Sequence, residues 1–254
     1  MALKILSYNI LSGGQDRLPL IASIIRKQQP DVVSILEANS YSNVEALAHQ
    51  LKMHLTFGEA NERSQTHIAW LSRFPVLQSE NYRLPIFAKT LLKIEILWEG
   101  TPLALFAAHL KAGQYQENDQ HRAEEVRTIL DILRPLGEKL HLLAGDLNTI
   151  HPTDQLDVSR FLASRGRKGE NEPAPQFPRL ALPLLLDAGY VDCYRALHAT
   201  TPGYTYKLPT PGLRIDYILA SPTLAHHLQA CDIVIGEEAE RASDHLPIWA
   251  TFRH

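Results

Sequence analysis

The residues of this chain that are able to do chemistry sit where apolar stretches stop. Asn9 closes Leu3-Lys-Ile-Leu-Ser-Tyr, Glu37 follows Val32-Val-Ser-Ile-Leu36, and His109 follows Leu103 to Ala108. Asp146 and Asn148 follow Leu140 to Ala144, Asp216 lies in Arg214-Ile-Asp-Tyr217, and Asp244 and His245 precede the last apolar stretch, Ile248 to Phe252. Taken singly, each has an ordinary reading: Glu37 as a solvated strand tip, His109 as a structural histidine, Asp146 and Asn148 as turn formers. The recurrence changes the balance, because a carboxylate or amide at the end of an apolar strand is expensive to bury idle. Together these residues are the inventory of a site for a hard divalent cation and an anionic substrate. Carboxylate and amide oxygens suit Mg²⁺ or Mn²⁺, and the absence of clustered cysteines argues against a zinc-thiolate site. The histidines are able to stabilise charge on a phosphate or to relay a proton near neutral pH.

These residues need elements to carry them. Leu3 to Asn9 alternates as a strand does and runs into the turn Ser12 to Gly14; Asp16 is placed to cap a helix whose apolar residues Leu18, Ile21, Ile24 and Ile25 recur at helical spacing. Val32 to Leu36 is a buried strand, and residues 43–51 form a helix. Strand then follows strand: Ile68 to Leu71, Val76 to Tyr82, and a hairpin of Thr90 to Trp98 with Leu103 to Ala108. Gln116 to Leu133 is a polar-faced helix, and Leu140 to Ala144 is a buried strand from which Gly145 opens a turn. If the backbone stays extended through Leu147, Asp146 and Asn148 point the same way. Residues 151–179 form a long irregular segment whose basic members are Arg165, Arg167, Lys168 and Arg179; segments of this kind are functional loops or disorder. A helix at Leu180 to Leu186 and strands at Gly203 to Tyr206, Leu213 to Ala220, Asp232 to Ile235 and Ile248 to Phe252 complete the chain. No linker or repeat divides it, so residues 1–254 are expected to form one domain.

The 254 residues, 45% of them hydrophobic, are enough for a substantial core. A net charge of -3 gives no global basic field of the kind that advertises nucleic-acid binding, though a local basic face is compatible with it. Cys193 and Cys231 are far apart and show no metal-ligand spacing. Met1 to Ile10 is too short and too polar for a signal peptide and no run reaches membrane-spanning length, so a cytoplasmic protein is expected.

The set Leu-Ser-Tyr-Asn9, Ile-Leu-Glu37, Ala-His-Leu110, Gly-Asp-Leu-Asn148, Arg-Ile-Asp-Tyr217 and Ser-Asp-His245, in this order, resembles the endonuclease/exonuclease/phosphatase superfamily. The resemblance implies a four-layer α/β sandwich, with two mixed, largely antiparallel β-sheets packed face to face and helices outside. It also implies cleavage of phosphodiester or phosphomonoester bonds with a divalent metal. By the same resemblance Glu37 is the principal metal ligand, assisted by Asn9 and Asp244, and Asp146 and Asn148 position and activate water. His245 contacts the scissile phosphate with its tautomer fixed by Asp216. His109 matches a histidine of the deoxyribonuclease-I and sphingomyelinase-like branches. Abasic-site endonucleases usually carry Tyr there, and Trp where Leu213 stands. Three functions follow: a phosphodiesterase for a small or lipid-like phosphoester, favoured by charge and by His109; a DNA or RNA nuclease; and, least favoured, a non-catalytic binding protein. Arg195 is expected to pair with Asp192, Arg73 fits either a surface ion pair or a phosphate contact, and the 151–179 segment is expected to overhang the site.

Overall fold

The computed structural model describes residues 2–164, 174–206, 208–209 and 211–254. Twelve strands among these residues are split evenly between two sheets. In chain order they are β1 (Ala2–Asn9), β2 (Val32–Leu36), β3 (His54–Gly58), β4 (Ile68–Ser72), β5 (Gln78–Tyr82), β6 (Leu91–Trp98), β7 (Thr101–His109), β8 (His141–Asp146), β9 (Val191–Asp192), β10 (Asp216–Ala220), β11 (Leu228–Ile233) and β12 (Ile248–Arg253). The first sheet runs β11-β12-β1-β2-β4-β3 and the second β5-β6-β7-β8-β10-β9. Each has one parallel pair at its centre, β1 with β2 and β7 with β8, and antiparallel pairs elsewhere. β2 and β8 are buried throughout, which is why they read as apolar runs rather than as alternating strands.

The helices are α1 (Leu18–Gln28), α2 (Tyr41–Leu51), α3 (Gln116–Leu133), α4 (Val158–Ser164), α5 (Ala181–Asp187), α6 (Cys193–Leu197), α7 (Pro222–Ala225) and α8 (Glu237–Ala242). The main core lies between the sheets and beneath α1, α2 and α8, with Trp70, Ile94, Leu105 and Ile248 at its centre. A second core joins the other face of the second sheet, through Phe106, Leu143 and Tyr217, to Val126, Ile129 and Leu133 of α3 and to α5. Four layers result, as the family resemblance implied.

Several local expectations change. Arg17, not Asp16, stands at the N-cap of α1, and no side chain caps it; Pro19 in the first turn starts the helix instead. Residues 203–206 form no strand: Tyr206 alone makes isolated bridges, to Leu213 and to His245. β10 begins at Asp216 rather than at Leu213, and β11 begins at Leu228, before Asp232. β3 was not expected; it is a half-exposed edge strand with little alternation to reveal it. Gly145 opens no turn but lies inside β8 at φ +144°. A Cβ there would come within 1.9 Å of the Ala108 carbonyl oxygen, so the approach of β7 to β8 at this point requires glycine.

Candidate active site

Strand register assembles half of the site. Across the second sheet His109 is paired with Asp146 between β7 and β8, and Asp146 with Asp216 between β8 and β10. Three titratable residues therefore stand in one row at the sheet's end. The first sheet supplies the other half: Asn9 ends β1, Glu37 follows β2 directly, and Asp244 and His245 precede β12. Ser243 ties these together by donating its hydroxyl to the Asn9 carbonyl at 2.6 Å.

Asp146 is the hub. Its Oδ2 accepts from Asn9 Nδ2 at 3.1 Å and lies 3.4 Å from His109 Nε2 and 3.7 Å from His245 Nε2. Its Oδ1 accepts the Asn148 backbone N–H at 3.0 Å. That bond belongs to a turn, with Asn148 at φ +51°, so the backbone does not stay extended through Leu147. The Asn148 amide donates to the Leu110 carbonyl at 3.3 Å rather than sharing a ligand with Asp146. Asn9 also donates to Glu37 Oε1 at 3.2 Å, while its own Oδ1 accepts from Leu11 N. Glu37 Oε2 accepts from Ser12 N at 2.8 Å, and Glu37 itself sits at φ +56°. A left-handed conformation costs a non-glycine residue about 1 kcal/mol or more and is held here by the surrounding bonds, among them Gly13 N to the Glu37 carbonyl at 2.7 Å.

His245 Nδ1 is 2.8 Å from Asp216 Oδ2, and both residues are buried. The ring of Tyr206 lies over the His245 imidazole with centroids 4.6 Å apart. Burial alone would lower the His245 pKa, but the charges of Asp216 and Asp146 outweigh it and raise the value to about 10. His109 moves the other way: burial, reinforced by Lys89 and His245, holds it well below its usual range and keeps it neutral. Burial raises the Asp146 carboxyl to about 7, with His245 pulling against that rise.

The sequence reading missed Lys89. Its Nζ donates to the Leu110 carbonyl at 2.8 Å. Burial lowers its pKa, while Asp146, Glu125 and Glu37 act to raise it. Glu125, wholly buried on α3, accepts from Ala88 N at 2.7 Å and from Lys111 N at 2.8 Å, and so fixes the segments on both sides of this ammonium. The polar face of α3 is thus an internal brace.

Other expectations resolve differently. Asp192 does not pair with Arg195 through side chains; it caps α6 and binds Arg214 Nη1 at 2.7 Å. Arg195 binds Asp154, which Arg214 also grips through Nε at 2.8 Å and Nη2 at 3.1 Å. Arg73 Nε donates to the Pro30 carbonyl at 2.9 Å, a structural role. In the 151–179 segment, Arg165, Arg167 and Lys168 lie outside the described residues. Arg179 donates to the carbonyls of His151 and Asp154, so its guanidinium braces the chain.

The donor chemistry fits a hard divalent cation: Glu37, Asp146 and Asp244 offer carboxylate oxygens, whereas the Asn9 oxygen is taken by Leu11 N; the two cysteines are buried and free. The donor atoms of Asp146, Asp216 and His245 lie within 4.8 Å of one another. The Asp216–His245 hydrogen bond already engages two of those side chains, whereas Glu37 is half-exposed beside them.

Strand-end carboxylates, a charged histidine and a two-sheet sandwich define a metal-dependent phosphoester hydrolase. The chain belongs to the endonuclease/exonuclease/phosphatase family, whose sequence pattern matches residues 6–245. It is 26% identical over 279 aligned residues to exodeoxyribonuclease III of Haemophilus influenzae, covering 99% of this chain and 100% of that protein. Among solved structures it is similar to an AP endonuclease from Archaeoglobus fulgidus, with a TM-score of 0.77, 20% identity, and coverage of 99% and 100% of the two chains. The 3′ phosphatase NExo from Neisseria, bound to a product DNA hairpin, matches with a TM-score of 0.77, 21% identity and the same coverage. At these identities the structural likenesses bear on the fold alone. No helix among the described residues is long and apolar enough to cross a membrane.

Proposed function

We propose that this chain is a Mg²⁺- or Mn²⁺-dependent phosphodiesterase acting on nucleic-acid strands, with residues 1–254 working as one catalytic domain. The observation that carries the chemistry is the convergence of Asn9, His109 and His245 on one oxygen of Asp146, with Asp216 behind His245. Glu37 and Asp244 would hold the cation, while Asn9, expected as a third ligand, has its Oδ1 turned to Leu11 N and its amide to Glu37 and Asp146 and would brace those carboxylates instead. When bound, the cation supplies a Lewis acid that offsets charge building on the phosphate.

The remaining work falls to the side chains. Asp146, its pKa raised by burial toward neutrality, takes a proton from the attacking water. Asn148, through its hydrogen bond to the Asp146 carboxylate, keeps that base oriented. His245, charged and locked by Asp216, presents Nε2–H to a non-bridging phosphate oxygen. His109, neutral, stands with its Nε2 3.4 Å from Asp146 Oδ2 and limits where that carboxylate can swing.

Sequence charge and His109 favoured a small or lipid-like phosphoester. The relatives with a substrate in their names act on DNA, and this moves our proposal to nucleic acid. A net charge of -3 suits a protein that grips a strand end or a short single strand through few phosphates. Abasic-site cleavage is not favoured, because His109 and Leu213 replace the residues usual in that branch. A screen of plasmid DNA, RNA, bis-p-nitrophenyl phosphate, sphingomyelin and phosphoinositides with Mg²⁺, Mn²⁺ and Ca²⁺ tests the reading. Turnover of DNA or RNA is expected; hydrolysis of lipid with nucleic acid untouched would overturn it.

A further inference from the structure

Next to Glu37 lies an open cleft of about 670 Å³ lined by Asn39, Tyr41, Phe57, Glu59, His67 and Arg83. It is joined to the reaction centre by backbone bonds. Ala38 N donates to the His67 carbonyl at 2.9 Å, and Asn39 N to the Glu37 carbonyl at 2.7 Å. We propose that this cleft is a nucleobase-binding subsite, in which the base next to the scissile phosphate stacks on Tyr41 and is read at its edge by His67 and Asn39. The inference rests on the nucleic-acid reading above and adds where the base is held.

The wall is aromatic, and among the described residues His67 Nε2 and the Asn39 amide are polar groups of the cleft with no hydrogen-bond partner. Tyr41 is 53% exposed in the first turn of α2, and its ring meets Phe57 edge-on, with centroids 5.2 Å apart. Phe57 in turn packs against the His67 ring at 5.3 Å. Ala60 N donates to His67 Nδ1 at 3.0 Å, so that nitrogen carries no proton and the neutral ring's hydrogen is on Nε2. Burial favours the neutral ring. The Asn39 side chain is exposed. Asn81, by contrast, is committed at both ends of its amide, to the Glu59 carbonyl and to the Thr90 hydroxyl, and only shapes the wall.

The chemistry discriminates among occupants. A lipid chain gains nothing from unspent donors. A second phosphate would want a bare cation, but the Arg83 guanidinium has Glu59 at 3.6 Å. A flat heteroaromatic ring with acceptors on its rim matches both the exposed ring and the donors beside it, and base–aromatic stacking is a recurrent means of holding single strands.

The test compares Tyr41→Ala with Tyr41→Phe on p-nitrophenyl esters of thymidine 5′- and 3′-monophosphate and on bis-p-nitrophenyl phosphate, which has no base. The ratio of kcat/KM for the better nucleotide ester to that for the base-free ester should fall about 5- to 100-fold in Tyr41→Ala, the loss typical of one stacked base. Tyr41→Phe should restore it. In metal-free protein, quenching of a 2-aminopurine dinucleotide should follow the same order. An unchanged ratio, or parallel loss on both kinds of ester, overturns the subsite. If oligonucleotides are hydrolysed while Tyr41→Ala keeps its ratio and its quenching, only the subsite fails. If no nucleic acid is hydrolysed, the nucleic-acid reading fails whatever Tyr41 does.

Discussion

Replacing Asp216 by Asn tests the site most directly, because it removes one charge and leaves the shape. In the native protein the His245 pKa is raised to about 10, with Asp216 the foremost cause acting upward, so the ring is almost fully protonated at about pH 8. If the variant returns His245 to its ordinary value of about 6.5, only about 3% of the rings are charged at about pH 8, a loss of about 30-fold in turnover. At about pH 6 most rings are charged again and the loss shrinks to less than about twofold. Since the charged ring is the active form, the alkaline limb of the kcat profile should move from near 10 to near 6.5. His245→Ala should instead lose about 100- to 1,000-fold at every pH, as expected when one preorganised donor is removed. Adding Asp216→Asn to that variant should cost little more, because residues acting as a unit are not additive. The assay is steady-state hydrolysis of bis-p-nitrophenyl phosphate at saturating metal, with thermal melts at both pH values to confirm folding. A pH-independent loss in Asp216→Asn, or fully multiplicative losses in the double variant, would show that Asp216 does not act through the imidazole.

Three shorter predictions follow. Glu37→Gln should weaken Mn²⁺ binding at least about tenfold without changing the far-UV circular dichroism, and an unaltered calorimetric titration would remove Glu37 from the metal site. Lys89→Met should lower kcat/KM about 10- to 100-fold if the ammonium faces the phosphate; an unchanged value would leave Lys89 with only its bond to the Leu110 carbonyl. His141 is buried with a lowered pKa, its ring nitrogens 2.6 Å from the Lys139 carbonyl oxygen and 2.7 Å from the Tyr190 hydroxyl. A folded pKa below the unfolded one makes this contribution to stability complete above about pH 6.5 and lost as pH falls from there through the lower folded value. Urea titrations should show that slope, and His141→Gln should flatten it; an identical slope in the variant would refute the assignment.

The candidate site was legible because strands advertise their ends: an apolar run that stops at a carboxylate, amide or imidazole needs no partner strand to be noticed. Most strands and the long α3 were legible from periodicity for the same local reason. What was not legible depends on pairing across the chain. Lys89 looks like any charge before a strand until Glu125 of α3 is found holding the segments beside it. Asp192 and Arg195 are near neighbours in sequence, yet Arg214 and Asp154 lie closer to them in the fold and take their charges. β3 eluded the pattern because an edge strand is half-exposed, and Gly145 read as a turn because the Ala108 carbonyl against it cannot be seen in sequence.

Why the site stands here at all follows from register. His109, Asp146 and Asp216 share one row only while β7, β8 and β10 keep their pairing, and a one-residue slip would turn each side chain to the opposite face. The hydrophobic core penalises any such slip, so the same packing that stabilises the sheets also fixes the spacing of three costly buried groups. That fixation alone would leave Asp146 neutral and His245 uncharged, because burial drives both that way. Mutual charge reverses the outcome for His245, and Asn9, reaching across from the first sheet, favours the ionised form of Asp146. Neither sheet alone supplies a centre able to handle a phosphate. It forms where two sheet ends meet, and its charge state is a property of their packing.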